Sequence, residues 1–451
     1  MSGSALSLVV HGHFYQPPRE NPWTGVVEPE PSAAPDRDWN TRITRECYAP
    51  LAALPAADGA HTLSAYEWLS FDAGPTLLAW LDRAAPAVVD AMRAADRASA
   101  RRLGHGNAIA SPYHHDILPL LSRRDKRTEV RWGLADFRRR FGRDSAGFWL
   151  PETAVDTETL EVLAEEGVAF TIVAPYQLNP APADGLAGRV ALSGGRSIAL
   201  FAFDGELSHG VAFGPLVNDA AAWERAMLAR RPAGLTSVAV DGETFGHHHK
   251  PGARAVGTLS AHLAAREGVR LENYASVLAA HPAAHAVTLV EPSAWSCAHG
   301  VGRWSRECGC RIEPDTQQRW RAPLLAAIEW LTAEIHALYE RDGRALPGGP
   351  WAFRDAAQAV GPVAQGQPLV DMERSVLAAH TSCGWFFDDF GKLEGRQVLR
   401  FAAYAIALAG GEAPRLEAGL LERLAPAVSN DPAVGTARDF YLQRIKPERP
   451  A

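Results

Sequence analysis

The sequence is poor in lysine and in long apolar runs, and each scarcity excludes a class of protein. Lysine occurs only as Lys126, Lys250, Lys392 and Lys446, and the net charge is −7. A dedicated nucleic-acid surface needs a basic face, so no nucleic-acid partner is expected. No stretch approaches the uninterrupted apolar length that a membrane span requires, so no membrane partner is expected either.

Cysteine is also scarce, and its pattern bears on the compartment. The five cysteines are an odd number spread thinly along 451 residues, which is not typical of a disulfide framework. Residues Met1 to Ala5 lead directly into a strand-like run, without the charged and then apolar order of a secretion signal. A reducing, cytoplasmic location is therefore expected.

The order of apolar patterns predicts two domains, since a chain of this length exceeds what one core usually holds. Short β-branched runs alternate with helical patterns over the first two-thirds, and this alternation predicts parallel strands with crossover helices. We expect a (β/α) barrel over residues 1–291, with a doubly wound open sheet as the alternative. The predicted strands include residues 6–11, 169–174, 197–202 and 237–241.

After Pro292 strand patterns become hard to find, and helical periodicity dominates. This change predicts an all-α C-terminal domain over residues 292–451. The predicted helices cover residues 315–341, 371–379, 394–409, 416–428 and 436–445.

Two acids stand at the ends of apolar runs and are candidates for catalysis. Glu152 follows the run that begins at Gly147, and Asp241 follows the run that begins at Ser237. The loops at the carboxyl ends of barrel strands open on one face, so distant acids can meet over one substrate. Two facing carboxyls in different environments can cleave a glycosidic bond. Taken singly, either acid could be a solvated loop residue or a helix cap.

The end of the first strand carries two histidines and a glutamine. His11 and His13 are two residues apart, so they project from the same face of the strand, and Gln16 follows them. Two imidazoles in this arrangement can bind a Zn²⁺-type ion, or they can join the glutamine in hydrogen bonds to a polyol. A pair of structurally satisfied histidines explains the pattern as well.

Two further polar segments offer groups that could bind sugar hydroxyls. His105 and Asn107 lie in a glycine-rich segment, and a glycine-rich turn with exposed histidines explains it equally well. The run from Asp241 to Lys250 is more specific, because it joins Asp241 and Glu243 to three consecutive histidines beginning at His247. These histidines could bind a ligand or a metal, or be a chance surface run.

The C-terminal half contains a cysteine-rich loop and a second aromatic loop. Indole rings stack on sugar faces, so Arg303 with Trp304, and Trp385 with Asp388, are candidate substrate contacts. A Cys₃His zinc site is an alternative for the first loop, although the ligand spacing is unusual. Buried cysteines that act as small apolar residues are the commoner explanation. The possible zinc ligands are Cys297, His299, Cys308 and Cys310.

The order of these segments resembles glycoside hydrolase family 57. The matching elements are His13 to Pro17, Gly106 with Asn107, Trp149 to Glu152, and Asp241 to Gly246. The first element departs from the family pattern, because Phe14 and Tyr15 separate the histidine from Gln16 and Pro17. The resemblance covers residues 6 to about 250, and its last two elements are the specific ones.

This resemblance implies a fold, a mechanism and a substrate class. It implies an incomplete (β/α)7-type barrel followed by a helical C-terminal domain that contributes to the rim of the active site. It also implies no cofactor and no catalytic metal, and it makes Glu152 the nucleophile and Asp241 the acid/base of a retaining mechanism. The substrate would be an α-linked oligo- or polysaccharide, and Trp149, Glu243 and His247 join the expected substrate contacts. Glu243, two residues beyond Asp241, is also the rival candidate for the acid.

Two other classes of function remain open from the sequence. A metal-dependent hydrolase, of the deacetylase or amidohydrolase kind, would use His11, His13, Asp241 and residues 247–249. A non-catalytic carbohydrate-binding protein would keep its function without either acid. Hydrolysis and transglycosylation differ in how acceptor sites exclude water, which a single sequence does not show.

Overall fold

A computed structural model describes residues 6–55, 62–231, 234–357 and 367–449. The expectation about Met1 to Ala5 lies outside these residues. The chain forms two compact units, each assembled from three stretches of sequence. The barrel unit comprises Met1–Gln16, Pro29–Ser111 and Phe137–Glu291, and the helical unit comprises Pro17–Glu28, Pro112–Asp136 and Pro292–Ala451.

The strands are short, apart from the first. They are β1 (Leu6–Phe14), β2 (Leu54–Pro55), β3 (Thr62–Leu63), β4 (Ser70–Ala73), β5 (Ala108–Ile109), β6 (Gly147–Phe148), β7 (Phe170–Val173), β8 (Leu178–Asn179), β9 (Gly188–Ala191), β10 (Ser197–Ala202), β11 (Leu235–Asp241), β12 (Val269–Leu271), β13 (His285–Ala286) and β14 (Thr288–Leu289).

Seven of the described strands form a parallel, nearly closed ring in the barrel unit. Four of these strands pair in the order β11-β1-β4-β5. A parallel bridge between Ala110 and Phe148 connects the end of β5 to β6. Strand β6 then pairs with β7, and β7 pairs with β10. Among the described residues, β10 and β11 share no strand ladder, and a backbone hydrogen bond from Asp204 N to Ser237 O at 2.8 Å links the two segments. The barrel is therefore incomplete at this position.

The ring follows from strands that are apolar on both faces. Leu8, Val9 and Val10 of β1 are almost completely buried, as parallel strands covered by crossover helices require. Burial of one such side chain stabilises the fold by about 1.5–3 kcal/mol. The predicted strands at residues 6–11, 169–174, 197–202 and 237–241 correspond to β1, β7, β10 and β11.

Helices connect the barrel strands. They are α1 (Trp39–Ile43), α2 (Ala49–Ala52), α3 (Pro75–Ala84), α4 (Pro86–Leu103), α5 (Arg123–Phe141), whose residues divide between the two units, α6 (Thr157–Glu165), α7 (Gly205–Ala212), α8 (Ala220–Arg230), α9 (Gly252–Ala265) and α10 (Tyr274–Ala280).

The helical unit is built mainly around α11, whose buried stripe includes Leu324, Ile328, Leu331 and Ile335 at helical spacing. The predicted helices after Pro292 occur with shifted ends, except that residues 441–445 form a π-helical turn. The helices are α11 (Arg321–Asp342), α12 (Pro350–Ala356), α13 (Pro368–Ala378), α14 (Cys383–Phe386), α15 (Leu393–Leu408), α16 (Ala413–Leu424) and α17 (Ala437–Phe440). Among the described residues, no helix has the length and apolarity to cross a bilayer.

Candidate active site

The candidate active site lies at the carboxyl ends of the barrel strands. Strand β1 is central, and its register pairs His13 with Asp72 of β4 on one side and with Asp241 of β11 on the other. Neighbouring strands in a sheet are about 4.8 Å apart, so the three residues stand side by side. Glu152 follows β6 in a short 3₁₀ turn, at the same end of its strand. We call these residues, together with His11 and Glu243, the strand-end cluster.

Asp72 joins the two histidines of β1. Its Oδ1 lies 3.2 Å from His11 Nε2, and its Oδ2 lies 2.8 Å from His13 Nδ1. Ser70 Oγ bonds the other nitrogen of His11 at 3.0 Å. Trp149 is fully buried and stacks on both imidazoles, with ring centroids 4.9 Å and 5.1 Å away. The two histidines are therefore held rigidly by one carboxylate and one indole.

The two histidines differ in protonation. Burial lowers the pKa of His11 despite the adjacent Asp72, so its imidazole is neutral. Burial also opposes protonation of His13, but the surrounding carboxylates, led by Asp72, outweigh it and raise its pKa to about 9. A cation consequently sits among several acids at the ends of β1, β4 and β11.

Asp241 combines access to solvent with a raised pKa. The residue as a whole is exposed, yet enough protein surrounds the carboxyl for desolvation to raise its pKa to about 7. The charge of His13 opposes this shift, and the charges of Glu152, Glu243 and Asp72 add to it. A carboxyl group with this pKa can hold a proton near neutral pH, and Glu152 is close enough to act on it electrostatically.

Glu152 occupies a strained turn. Its φ of 58° and the φ of 48° at Thr153 lie in the left-handed region, which is unusual for a β-branched residue such as threonine. Such conformations cost about 1–3 kcal/mol each and persist where the surroundings impose them. Here Gln177 helps to impose the conformation. Its Oε1 accepts from Thr153 Oγ1 at 2.8 Å, and its Nε2 donates to Thr153 O at 2.8 Å.

The turn that follows Asp241 packs tightly against β1. A Cβ on Gly242 would lie 2.2 Å from the Phe14 ring, so only glycine fits at this close approach. Glu243 is buried and accepts hydrogen bonds from the Tyr48 hydroxyl and from Tyr15 N. Gln16 Nε2 donates to the same Tyr48 hydroxyl at 3.2 Å. Burial raises the pKa of Glu243, and these hydrogen bonds and His13 oppose the rise.

The three consecutive histidines contact different partners. His247 Nδ1 lies 2.6 Å from Glu46 Oε2, and His249 Nε2 lies 2.9 Å from the carbonyl oxygen of Ala212. Burial and the neighbouring histidines lower the pKa of His248 to about 4. Within the described part of the chain, two groups of side chains have ligand atoms close enough for one metal ion, and neither includes these histidines, His11 or His13.

His105 and Asn107 lie before β5, at the opposite end of the strands from Asp72 and Asp241. The amide of Asn107 donates to the carbonyl oxygens of Tyr66 and Glu67 at 3.0 Å and 2.8 Å. Its Oδ1 accepts from Ser99 Oγ and from Asn273 Nδ2. These bonds use the hydrogen-bonding capacity of the amide. We therefore leave both residues out of the proposed site.

The predicted substrate contacts of the C-terminal half are buried within the helical unit. The Arg303 guanidinium lies over the Phe386 ring at 4.2 Å. Trp304 and Trp385 are buried and line one small cavity with Leu325 and His380. Asp388 accepts backbone hydrogen bonds from residues 312 and 313 at 2.8 Å and 2.6 Å. In this structure the four residues pack the helical unit, and their contact with a sugar stays a prediction.

Sequence reasoning missed Asp72, Tyr48 and Gln177. Asp72 carried a usable signal, because it ends a short strand-like run in the same way as Glu152 and Asp241 do. Tyr48 and Gln177 carried none. Tyr48 lies in a π-helical turn, and Gln177 lies 24 residues beyond the threonine that it holds. Only the folded chain shows which groups they bond.

The fold and this site define a (β/α)7-type barrel with carboxylates at the carboxyl ends of its strands. Residues 56–285, more than half of the chain, match the glycosyl hydrolase family 57 domain. The chain therefore belongs to glycosyl hydrolase family 57, as its motifs predicted. Residues 364–450 match a domain of unknown function, DUF3536.

Solved structures confirm the predicted fold class. An exo-type maltose-forming amylase from Pyrococcus sp. ST04 superposes with a TM-score of 0.72 at 15% identity, over 93% of this chain and 83% of that one. A family 57-type branching enzyme from Pyrococcus horikoshii superposes with a TM-score of 0.64 at 15% identity, over 95% and 98% of the two chains. At these identities the likeness establishes the fold alone.

Similarity in sequence is more limited. The chain is 25% identical over 179 residues to a 4-alpha-glucanotransferase from Thermococcus litoralis. That match covers 38% of this chain and 26% of the relative, so the chain spans about a quarter of the length of the curated relative that it matches.

Proposed function

We propose that this protein is a retaining enzyme that hydrolyses or transfers α-linked glucans or oligosaccharides. Membership of glycosyl hydrolase family 57 supports the reaction class. The 4-alpha-glucanotransferase and the alpha-amylases among its sequence relatives support the substrate class. Glu152 is the proposed nucleophile and Asp241 the proposed acid/base.

The main support for this proposal is the electrostatic interaction between these two acids. A retaining glycosidase needs one carboxylate that is ionised and one carboxylic acid that keeps its proton at working pH. Asp241 has a pKa raised to about 7, and the charge of Glu152 is one of its causes. The two acids thus interact while they occupy different environments, Asp241 exposed and Glu152 half-buried in a strained turn.

The proposed reaction has two steps. In the first, the Glu152 carboxylate attacks the anomeric carbon, the bond to the glycosidic oxygen breaks, and Asp241 gives that oxygen its proton. In the second, Asp241 takes a proton from water or from a sugar hydroxyl. The activated oxygen attacks the anomeric carbon, and Glu152 leaves. Water as acceptor gives hydrolysis, and a sugar hydroxyl gives transfer.

The remaining members of the strand-end cluster position and tune this pair. Asp72, together with Trp149 from outside the cluster, holds His11 and His13 in place, so the His13 imidazole is fixed beside Asp241. Glu243 adds negative charge that favours the protonated form of Asp241. We propose His13, Gln16, Trp149, Glu243 and His247 as the groups of the barrel unit that bind or orient the sugar. His11 is buried with both ring nitrogens bonded, so its proposed role is to position Asp72.

An activity screen tests the proposal. Maltooligosaccharides, glycogen and an aryl α-glycoside are incubated with wild type, Glu152→Gln and the control Glu267→Gln, which changes an exposed surface acid. We expect activity in wild type and the control, and a loss of at least about 10³-fold in Glu152→Gln. Redistribution of oligosaccharide chain lengths identifies transfer, and release of reducing sugar without it identifies hydrolysis. Wild type that acts on none of these substrates contradicts the proposed substrate class.

Covalent trapping tests the role of Glu152 directly. A 5-fluoro glycosyl fluoride of α configuration should accumulate as a glycosyl-enzyme, and peptide mass spectrometry should place the added mass on Glu152. The label should be absent from Glu152→Gln and present in Glu267→Gln. A label on another carboxylate would reassign the nucleophile.

The two other classes of function give different results in the same assays. A metal-dependent hydrolase loses activity with a chelator and regains it with a divalent ion. A non-catalytic carbohydrate-binding protein retains its binding when Glu152→Gln and Asp241→Asn are combined.

A further inference from the structure

The helical unit contains a compact group of three thiols and one imidazole. Cys297, His299, Cys308 and Cys310 each place one ligand atom so that all four atoms lie within 4.8 Å of one another. The two pairs flank a 3₁₀ turn, Gly302–Trp304, so one loop supplies all four groups. The burial of these groups is graded: Cys297 is buried, and His299 is exposed. We call this group the thiol–imidazole cluster.

Three distances within the cluster match those between ligands of one tetrahedral ion. Cys297 Sγ lies 3.9 Å from Cys308 Sγ and 3.8 Å from Cys310 Sγ, and His299 Nδ1 lies 3.5 Å from Cys310 Sγ. Zinc–sulfur bonds of about 2.3 Å and zinc–nitrogen bonds of about 2.0–2.1 Å place tetrahedral ligands about 3.8 Å (S to S) and about 3.6 Å (S to N) apart. A disulfide would need about 2.05 Å.

The backbone around the cluster permits this close approach. A Cβ on Gly302 would lie 2.9 Å from the Cβ of Cys308, so any larger residue at this position would push the second cysteine pair away. The amide of Arg303 lies 3.4 Å from Cys297 Sγ and donates to it. Such N–H to sulfur bonds stabilise a thiolate, which is the form that binds metal.

The charges nearby fit a bound ion. Zn²⁺ with three thiolates and a neutral imidazole carries a net charge of about −1. Arg321 is completely buried and donates through Nη1 to Cys310 O at 2.9 Å. Arg306 donates to His299 O at 3.4 Å. Arg321 also lies 3.7 Å from Asp388 Oδ1, so Arg321 and Arg306 would offset the excess negative charge in part.

We propose that Cys297, His299, Cys308 and Cys310 bind one structural Zn²⁺ ion. Three thiolates and one imidazole are ligands that favour zinc over oxygen-seeking ions such as Mg²⁺ and Ca²⁺. Four protein ligands leave no open position for water or substrate, so the site is structural. The ion closes the loop that carries Arg303 and Trp304. This inference is independent of the proposed glucan chemistry.

Metal content tests the proposal. The full chain is expressed with added zinc, purified and dialysed, and its metals are measured by mass spectrometry. We expect about one zinc per chain in wild type and in the control Cys383→Ser, which alters a cysteine outside the cluster. We expect at least a tenfold lower content, and a lower melting temperature, in Cys308→Ser with Cys310→Ser. Wild type without zinc, or the double variant with full zinc, overturns the proposal.

Cobalt substitution tests the ligand set without relying on a variant that folds. Wild type treated with chelator and then loaded with Co²⁺ should show the visible absorption of tetrahedral cobalt and a thiolate-to-cobalt charge-transfer band. His299→Cys should retain the metal and strengthen that band, because a fourth thiolate replaces the imidazole. Octahedral spectra, or cobalt without charge transfer, would contradict thiolate ligation.

Discussion

Each unit of this protein places a histidine between carboxylates, and the pKa values of the acids shift in opposite directions in the two units. In the helical unit His336 lies 3.1 Å from Asp125 Oδ2 and 3.0 Å from the Glu373 carboxylate, and its pKa is raised to about 9. Arg354 completes this group at 2.6 Å from Glu373 and 3.0 Å from Asp125. We call these four residues the helical-unit cluster.

The two clusters differ in the numbers of positive and negative groups that they contain. The helical-unit cluster pairs two cations with two anions, and hydrogen bonds and charge from His336 and Arg354 lower the pKa of Asp125 against the effect of burial. The strand-end cluster has one cation, His13, and four acids. Burial raises the pKa values of Asp241 and Glu243, and the neighbouring carboxylates add to the rise for Asp241. Raised carboxyl pKa values near an exposed strand end are typical of proton transfer, whereas balanced buried pairs are typical of structure.

The largest expected effect is on activity, from Asp241→Asn. The amide cannot donate the proton that the leaving oxygen needs, so kcat/KM should fall by about 10²–10⁴-fold on a maltooligosaccharide. The melting temperature should stay the same or rise, because the variant removes one negative charge from an acid-rich cluster. Calorimetry and initial rates measure both quantities. Unchanged kcat/KM would show that Asp241 is not the acid.

Arg354→Met in the helical-unit cluster should affect stability and leave activity unchanged, which is the opposite of the result expected for Asp241→Asn. It leaves two buried carboxylates with one histidine, so the free energy of unfolding should fall by about 3–5 kcal/mol. The activity of the folded fraction should be close to wild type. Denaturant titration with Arg354→Lys as the control, which keeps the charge, measures the loss. A variant as stable as wild type would show that the balanced cluster is not structural.

Strand ends were the part of the site that could be predicted from the sequence. Glu152, Asp241 and His13 each follow a run of apolar residues, and parallel topology then places them at one end of the barrel. Asn107 shows the limit of this reasoning. Its segment resembles a strand–loop element, but it precedes β5 instead of following it, and the side chain bonds backbone carbonyls.

Contacts between distant elements could not be predicted in the same way. Asp72 lies 59 residues from His13, and Tyr48 lies 195 residues from Glu243. The pairing of Asp72 with His13 depends on the register of β1 against β4, which no local pattern specifies. The charge balance that distinguishes the two clusters is therefore a property of the fold.

Gln177→Leu separates geometry from charge, because it disturbs the backbone of the strand-end cluster and leaves the charge of the cluster unchanged. The substitution removes three side-chain hydrogen bonds from Gln177 to Thr153 and Ala174, and the left-handed backbone at Glu152 can then relax. Misplacement of a reacting group by about 1 Å can lower the reaction rate by up to about 10²-fold. We therefore expect kcat to fall by about 10- to 100-fold, with a smaller change in KM.

The control for this variant is Thr153→Ser, which keeps the hydroxyl that Gln177 accepts from. It should retain most of kcat. A Gln177→Leu variant with wild-type kcat and a lower melting temperature would assign the glutamine to stability alone. Steady-state rates and thermal unfolding of the two variants together separate these outcomes.

The smallest expected effect is a shift in pH dependence. Asp241 must be protonated to act as the acid and has a pKa of about 7, so kcat/KM should fall as pH rises through about 7. The charge of Glu243 favours the protonated form. Glu243→Gln removes that charge, lowers the pKa of Asp241 and should move the fall in activity to lower pH, by less than about one unit. Glu267→Gln, on the exposed surface, should leave the profile unchanged. A shift to higher pH in Glu243→Gln would mean that the excess of negative charge does not set the acidity of this site.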